Sequence, residues 1–142
     1  MGEIKLTYQV DGGDLIQAGE ASSQMKMTLK KLGLPPEIIR KASVCMYEGE
    51  INMVIHADGG RVEVEVGMDA ITIRLIDQGP GIPDVDRAME EGYSTAGDVA
   101  RDLGFGAGMG LPNMKRYSDE MRIDTTVGVG TTVTMRIDIN NG

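Results

Sequence analysis

The 142 residues are one domain's worth of chain, and 41% hydrophobic with 25% charged residues is globular rather than disordered composition. A net charge of -8, with one Phe, four Tyr and no Trp, argues against nucleic-acid phosphates and stacked bases as partners. A single cysteine and a single histidine exclude an internal disulfide framework and a multi-histidine metal site, and no apolar run reaches the length of a membrane span or reads as a secretory leader, so a soluble cytoplasmic protein is expected.

Residues 3–10 alternate apolar and polar, which predicts a strand, and Asp11-Gly12-Gly13 a turn. Asp14 can cap a helix running to about Leu32, whose stripe is Leu15, Ala18, Ala21, Met25, Leu29 and Leu32. Gly33 is the stop, and Pro35-Pro36 opens a second helix from about Glu37 to His56. Its inward stripe reads Ile38, Ala42, Cys45, Gly49, Asn52 and Ile55. Strands at 61–67 and 70–76 are expected to pair as a hairpin across Gly67-Met68-Asp69. A short helix at 84–91 precedes a long irregular stretch rich in Gly, Ser, Thr and Asp, the kind that forms functional loops. A helix at 109–118 and strands at 121–126 and 131–139 complete the chain. This order implies one domain over 1–142, with helices layered on one face of a mixed sheet.

Four features carry chemistry. Glu48 and Asn52, four residues apart, project from one side of the second helix; they fit a carboxylate base with an amide ligand for a hard cation, or a partly exposed helix edge. Glu50 lies on a different side and serves as the control position. Asp77 ends an apolar strand and leads into Gly79-Pro80-Gly81, a place for a carboxylate to accept a hydrogen bond from an amino group, or for a plain Asp turn. Gly104, Gly106, Gly108 and Gly110 alternate before the helix at 109–118, where backbone N–H groups and a helix N-terminus can converge on phosphate oxygens. The stretch has no G-K-[ST] and follows no strand of a βαβ unit, so neither a Walker A loop nor a dinucleotide fold is expected. Finally, Gly130-Thr131-Thr132 opens the last strand, and alternation lets only one threonine face a ligand beside Asp77.

Taken in order, E-x-x-x-N-x-x-x-H-A at 48–57, D-x-G-P-G-I at 77–82, the glycines of 104–111 and G-T-T at 130–132 resemble the four nucleotide-binding boxes of the GHKL ATPase clan. That clan includes gyrase-type ATPases, Hsp90, MutL and histidine-kinase catalytic domains. DQGPGIPDVDRAMEEGYSTAG and GMGLPNMKRYSDE are most similar to bacterial anti-sigma factors and switch serine kinases.

The resemblance implies an α+β two-layer sandwich of the Bergerat type that binds ATP and Mg2+. Carried over, Asn52 would bind the metal, Glu48 would orient or deprotonate the attacking hydroxyl, and Asp77 would accept from the adenine amine with Gly79 and Gly81 close to the ring. Thr131 would support Asp77, through water, and Gly104, Gly106, Gly108 and Gly110 would wrap the phosphates under a lid at 92–103. His56 is read as structural. Residues 97–102 lengthen the lid relative to the switch kinases. Three functions stay open: a serine/threonine kinase acting on a small antagonist protein in a sigma-factor switch, a nucleotide-gated binding module without transfer, and a detached histidine-kinase-type catalytic domain. Each implies protein partners, neither nucleic acid nor membrane, and leaves a homodimer open.

Overall fold

In a computed structural model, the described residues are 4–11, 18–56, 59–78 and 110–139. Strand β1 (Ile4–Asp11) leads to helices α1 (Glu20–Lys31) and α2 (Pro36–His56), then to strands β2 (Gly59–Val66) and β3 (Ala70–Asp77). Helix α3 (Gly110–Tyr117) and strands β4 (Glu120–Thr126) and β5 (Gly130–Asp138) follow. The predicted helix at 84–91, the lid at 92–103 and Gly79, Gly81, Gly104, Gly106 and Gly108 lie outside the described residues.

The strands form one sheet in the order β1-β2-β3-β5-β4. Every described pairing is antiparallel, where a mixed sheet was expected. The topology supplies the reason. β4 returns parallel to β3 but one position away, and the β4–β5 hairpin folds β5 back into the gap, so no parallel neighbours remain. Alternation then sorts the side chains: Val62, Val64, Ile71, Ile73, Leu75, Val133, Met135 and Ile137 bury on one face. The other face carries Arg61, Glu63, Glu65, Arg74, Arg122 and Arg136, several of them ion-paired, as suits a sheet with one face to solvent.

The helices cover the apolar face and share one core with it. α1 buries Ala21, Met25 and Leu29 as its spacing predicted, each large aliphatic side chain giving about 1.5–3 kcal/mol. It begins at Glu20, after Gly19 at φ 98°, a left-handed conformation; Asp14, the expected cap, lies outside the described residues. Its C-terminus closes with Gly33 N–H on the Lys30 carbonyl and Leu34 N–H on the Leu29 carbonyl, so Leu34 turns in to the core while Leu32 stays exposed.

α2 is the central helix. It is apolar on more sides than the predicted stripe, burying Ile39, Met46, Ile51, Met53 and Val54 beside Ile38, Ala42 and Cys45. Gly49 lets it close on the sheet: a Cβ there would collide with the Leu75 side chain. Burial pushes the Cys45 thiol up to about 12, so it is a packing group.

Candidate functional site

Three strands bring polar groups to one end of the helix-covered face. Asp77 pairs with Thr131, and Thr131 with Thr125, so the three continue the inward rows that end at Leu75, Val133 and Ile123. Thr131 is 6% exposed, and its backbone N–H donates to Asp77 Oδ1 at 3.2 Å. Its hydroxyl instead meets the Thr125 hydroxyl at 2.9 Å. Gly130 makes this approach feasible. It sits at φ 153°, and a Cβ there would strike the Asp77 carbonyl oxygen. One carboxylate oxygen of Asp77 is thus anchored from the neighbouring strand.

The C-terminal half of α2 reaches the same end. Met53 lies against Gly60, and a Cβ on Gly60 would come 2.7 Å from Met53 Cε and 3.0 Å from Asp77 Cα. Asn52, next to Met53, is half-buried, and Glu48 is half-buried one turn before it. Burial pushes the Glu48 carboxyl up from its ordinary range, while a hydrogen bond with the Asn113 side chain pulls it down. A partly desolvated carboxylate with a raised affinity for protons is better suited to accept one than a fully solvated carboxylate.

α3 packs on this part of α2, with Leu111 and Met114 turned into the core and Cys45 Sγ facing the Met114 carbonyl at 3.7 Å. Gly110 is its first residue, so the glycine-rich stretch opens a helix N-terminus as expected. Among the described residues no group of three or more His, Cys, Asp or Glu could hold a metal ion. Asn52 carries an amide oxygen, a donor type that fits Mg2+, which keeps several waters and takes most other ligands from phosphates. The side chain of His56 lies outside the described residues.

Glu50 is a correction. It does face away from Glu48, but it is 3% exposed rather than a neutral surface position. Its Oε2 accepts from the Gly19 and Ala21 N–H groups at 3.0 and 3.2 Å, and its Oε1 from the Ser22 N–H at 2.9 Å and the Ser22 hydroxyl at 2.6 Å. A carboxylate on α2 therefore caps the N-terminus of α1, 28 or more residues away in sequence. Sequence reasoning also missed Thr125 and Asn113. Thr125 was available from the hairpin register, whereas the Asn113 contact depends on how α3 docks on α2, for which local spacing holds no signal.

With this geometry in hand, comparison with known proteins is informative. A family model described as "Histidine kinase-, DNA gyrase B-, and HSP90-like ATPase" matches residues 43–141. The serine/threonine-protein kinase RsbT of Bacillus subtilis is 33% identical over 108 residues, 73% of this chain and 75% of its own. The anti-sigma F factor of Clostridium beijerinckii is 31% identical over 129 residues, 85% of this chain and 87% of its own. Among solved structures, the RsbU and RsbW domains of Rv1364c from Mycobacterium tuberculosis match with a TM-score of 0.64 at 18% identity, over 94% of this chain and 31% of that one. The mycobacterial sensor histidine kinase MprB matches at 0.54 and 15%, over 95% and 97%. These two likenesses concern the fold.

Proposed function

This chain belongs to the histidine kinase-, DNA gyrase B- and HSP90-like ATPase family, and on that basis we propose that it is an ATP-dependent protein serine/threonine kinase that controls a transcription regulator through a small antagonist protein. The observation that carries the reading is Glu48: a half-buried carboxylate with a raised proton affinity, one helical turn from an amide suited to a hard cation. Similarity to RsbT and to anti-sigma F factors supports the protein substrate and the partner-switching role. A cytoplasmic location belongs to the same proposal; among the described residues no helix is long and apolar enough to cross a membrane.

In this reading the residues divide the work. Asp77, oriented by the Thr131 N–H on one oxygen, accepts the adenine amine. Asn52 offers its amide oxygen to Mg2+, which when bound neutralises phosphate charge. Gly104, Gly106, Gly108 and Gly110 supply N–H groups to the phosphates, and Gly79 and Gly81 leave room for the ring. Glu48 takes the proton of the incoming serine or threonine hydroxyl as its oxygen bonds to the terminal phosphorus and the bond to the ADP oxygen breaks. Positioning and charge neutralisation account for most of the catalysis in such transfers, with general-base help of about 10²–10⁴.

Single-turnover transfer from labelled ATP to proteins encoded beside this one tests the reading. Glu48→Gln keeps the shape and removes the basicity, so transfer falls at least about a hundredfold while ATP affinity stays within about threefold. The control is Glu37→Gln, an exposed position paired with Lys41 at 3.7 Å. Equal rates in wild type and Glu48→Gln would remove Glu48 as base; ATP binding without transfer to any partner would leave a nucleotide-gated binding module. Asn52→Ala, titrated with and without Mg2+, weakens Mg·ATP binding more than metal-free ATP binding, and an equal loss in both would strike Asn52 from the metal site.

A further inference from the structure

Asp77, Thr131 and Thr125 stand in one row across β3, β5 and β4, on the face that the helices cover. Side chains directly opposite on antiparallel strands have Cβ atoms about 4.5–5.5 Å apart, so each member of the row is within reach of the next. Three contacts tie the row together. The Thr131 N–H donates to Asp77 Oδ1 at 3.2 Å. The Thr125 hydroxyl donates to the Gly130 carbonyl oxygen at 3.3 Å. The Thr125 and Thr131 hydroxyl oxygens lie 2.9 Å apart. A hydroxyl carries one proton, and a carbonyl oxygen can only accept. With the Thr125 proton directed to Gly130, the proton between the two threonines is that of Thr131, and Thr125 accepts it.

We propose that Thr125 is a positioning residue for nucleobase recognition: by drawing back the proton of Thr131, it turns the Thr131 oxygen into an acceptor beside the Asp77 carboxylate. This rests on Asp77 meeting the adenine amine. A hydroxyl free to rotate meets a donor or an acceptor equally well and selects neither. Held by Thr125, Thr131 offers lone pairs alone. Two acceptors then face one group that carries two hydrogens, which is the exocyclic amine of adenine. Thr131 takes its share of that amine directly or through one bridging water. A base without the amine leaves the corner short of a donor, and at 6% exposure solvent compensates the Thr131 oxygen poorly.

Thr125 touches no base on this account. It acts through Thr131 and through Gly130, the residue whose missing Cβ lets β5 close on the Asp77 carbonyl. Plain strand packing is the competing use of the same hydroxyl pair. Packing alone predicts a loss of stability on removing Thr125, with no change in which base is preferred. The two uses therefore separate on base preference.

The test is calorimetry of the whole chain with ATP and with purine riboside triphosphate, in which hydrogen replaces the amine. Wild type prefers ATP. Thr125→Val keeps the shape, removes the hydroxyl and lowers that preference about threefold to tenfold, the scale of one neutral hydrogen bond. Thr125→Ser keeps the hydroxyl and the preference. Thr131→Val lowers the preference by a similar factor, and adding Thr125→Val to it lowers it no further, because the hydroxyl through which Thr125 acts is already gone. Thr125→Ala repeats the measurement if the Val variant does not fold. An unchanged preference in a folded Thr125→Val or Thr125→Ala protein, or an effect fully additive with that of Thr131→Val, would overturn the role of Thr125 while Asp77 keeps the amine. A wild type that binds the two nucleotides equally would take the amine from Asp77, and the role of Thr125 would fall with it.

Discussion

The two flanks of α2 hold carboxylates two residues apart in opposite surroundings. Toward α1, Glu50 is buried and takes four hydrogen bonds, three from backbone N–H groups and one from the Ser22 hydroxyl. Toward α3, Glu48 is half-buried; burial pushes its carboxyl up and, among the described residues, the Asn113 side chain offsets that. The first carboxylate is committed: every donor around it would be stranded by its loss, and it can give nothing to a ligand. The second keeps acceptor capacity and a raised affinity for protons. The four donors around Glu50 mark it as a structural group.

The largest effect expected from this contrast is on stability. Glu50→Ala strands three backbone N–H groups and a hydroxyl at the start of α1. Each buried unsatisfied group costs about 1–3 kcal/mol, and allowing for relaxation and water entry the variant loses about 3–5 kcal/mol in urea denaturation. Glu50→Gln retains one acceptor oxygen and loses less. A Glu50→Ala protein as stable as wild type would mean that α1 holds its N-terminus without the carboxylate, and the contrast between the two flanks would collapse.

Asp77 takes the Thr131 N–H on one carboxylate oxygen. That bond orients the amide of Asp77→Asn: its oxygen takes the Thr131 donor, so its NH2 turns toward the nucleotide. A donor then faces the donor amine of adenine. ATP affinity falls by about 1.5–3 kcal/mol, the scale of a hydrogen bond to a charged group, with little change in fold stability. Calorimetry checks both. Unchanged affinity would make Asp77 a sheet-end anchor, closer in kind to Glu50 than to Glu48.

Much of this was legible before the structure. Period-two alternation located all five strands, and the Gly33-x-Pro-Pro punctuation separated the two long helices where they separate. Asp77 and Thr131 follow from strand ends, because alternation fixes which side chain turns inward once the strand is placed. Glu50 was misjudged because a single stripe was assigned to a helix with apolar residues almost all round. Met46, Ile51, Met53 and Val54, outside that stripe, were the available sign that α2 is covered on several sides. The cap on α1 at Gly19–Ser22 comes from another helix, which local spacing cannot show. Asn113 lay beyond reach for the same reason. Contacts between helices depend on docking, which sequence periodicity constrains to a face but not to a residue.

The smallest effect concerns Glu48 and stability, and its sign is opposite to that of Glu50. Burial raises the proton affinity of Glu48 in the folded state above that of the unfolded chain. Below the ordinary carboxylate range both states hold the proton and the group is neutral to folding. As pH rises, the unfolded chain releases its proton first, so folding loses free energy until the folded carboxyl has titrated as well. At neutral pH the ionised Glu48 is thus a net burden on the fold, softened by Asn113 and by its partial exposure. Glu48→Gln removes the burden while keeping an acceptor for Asn113. Its melting temperature at neutral pH rises by about 1 °C over wild type, and the difference vanishes as pH falls below the carboxylate range. Melting curves of both proteins across that range decide it. A Glu48→Gln protein less stable than wild type at neutral pH would show that Glu48, like Glu50, is held by its donors for the sake of the fold.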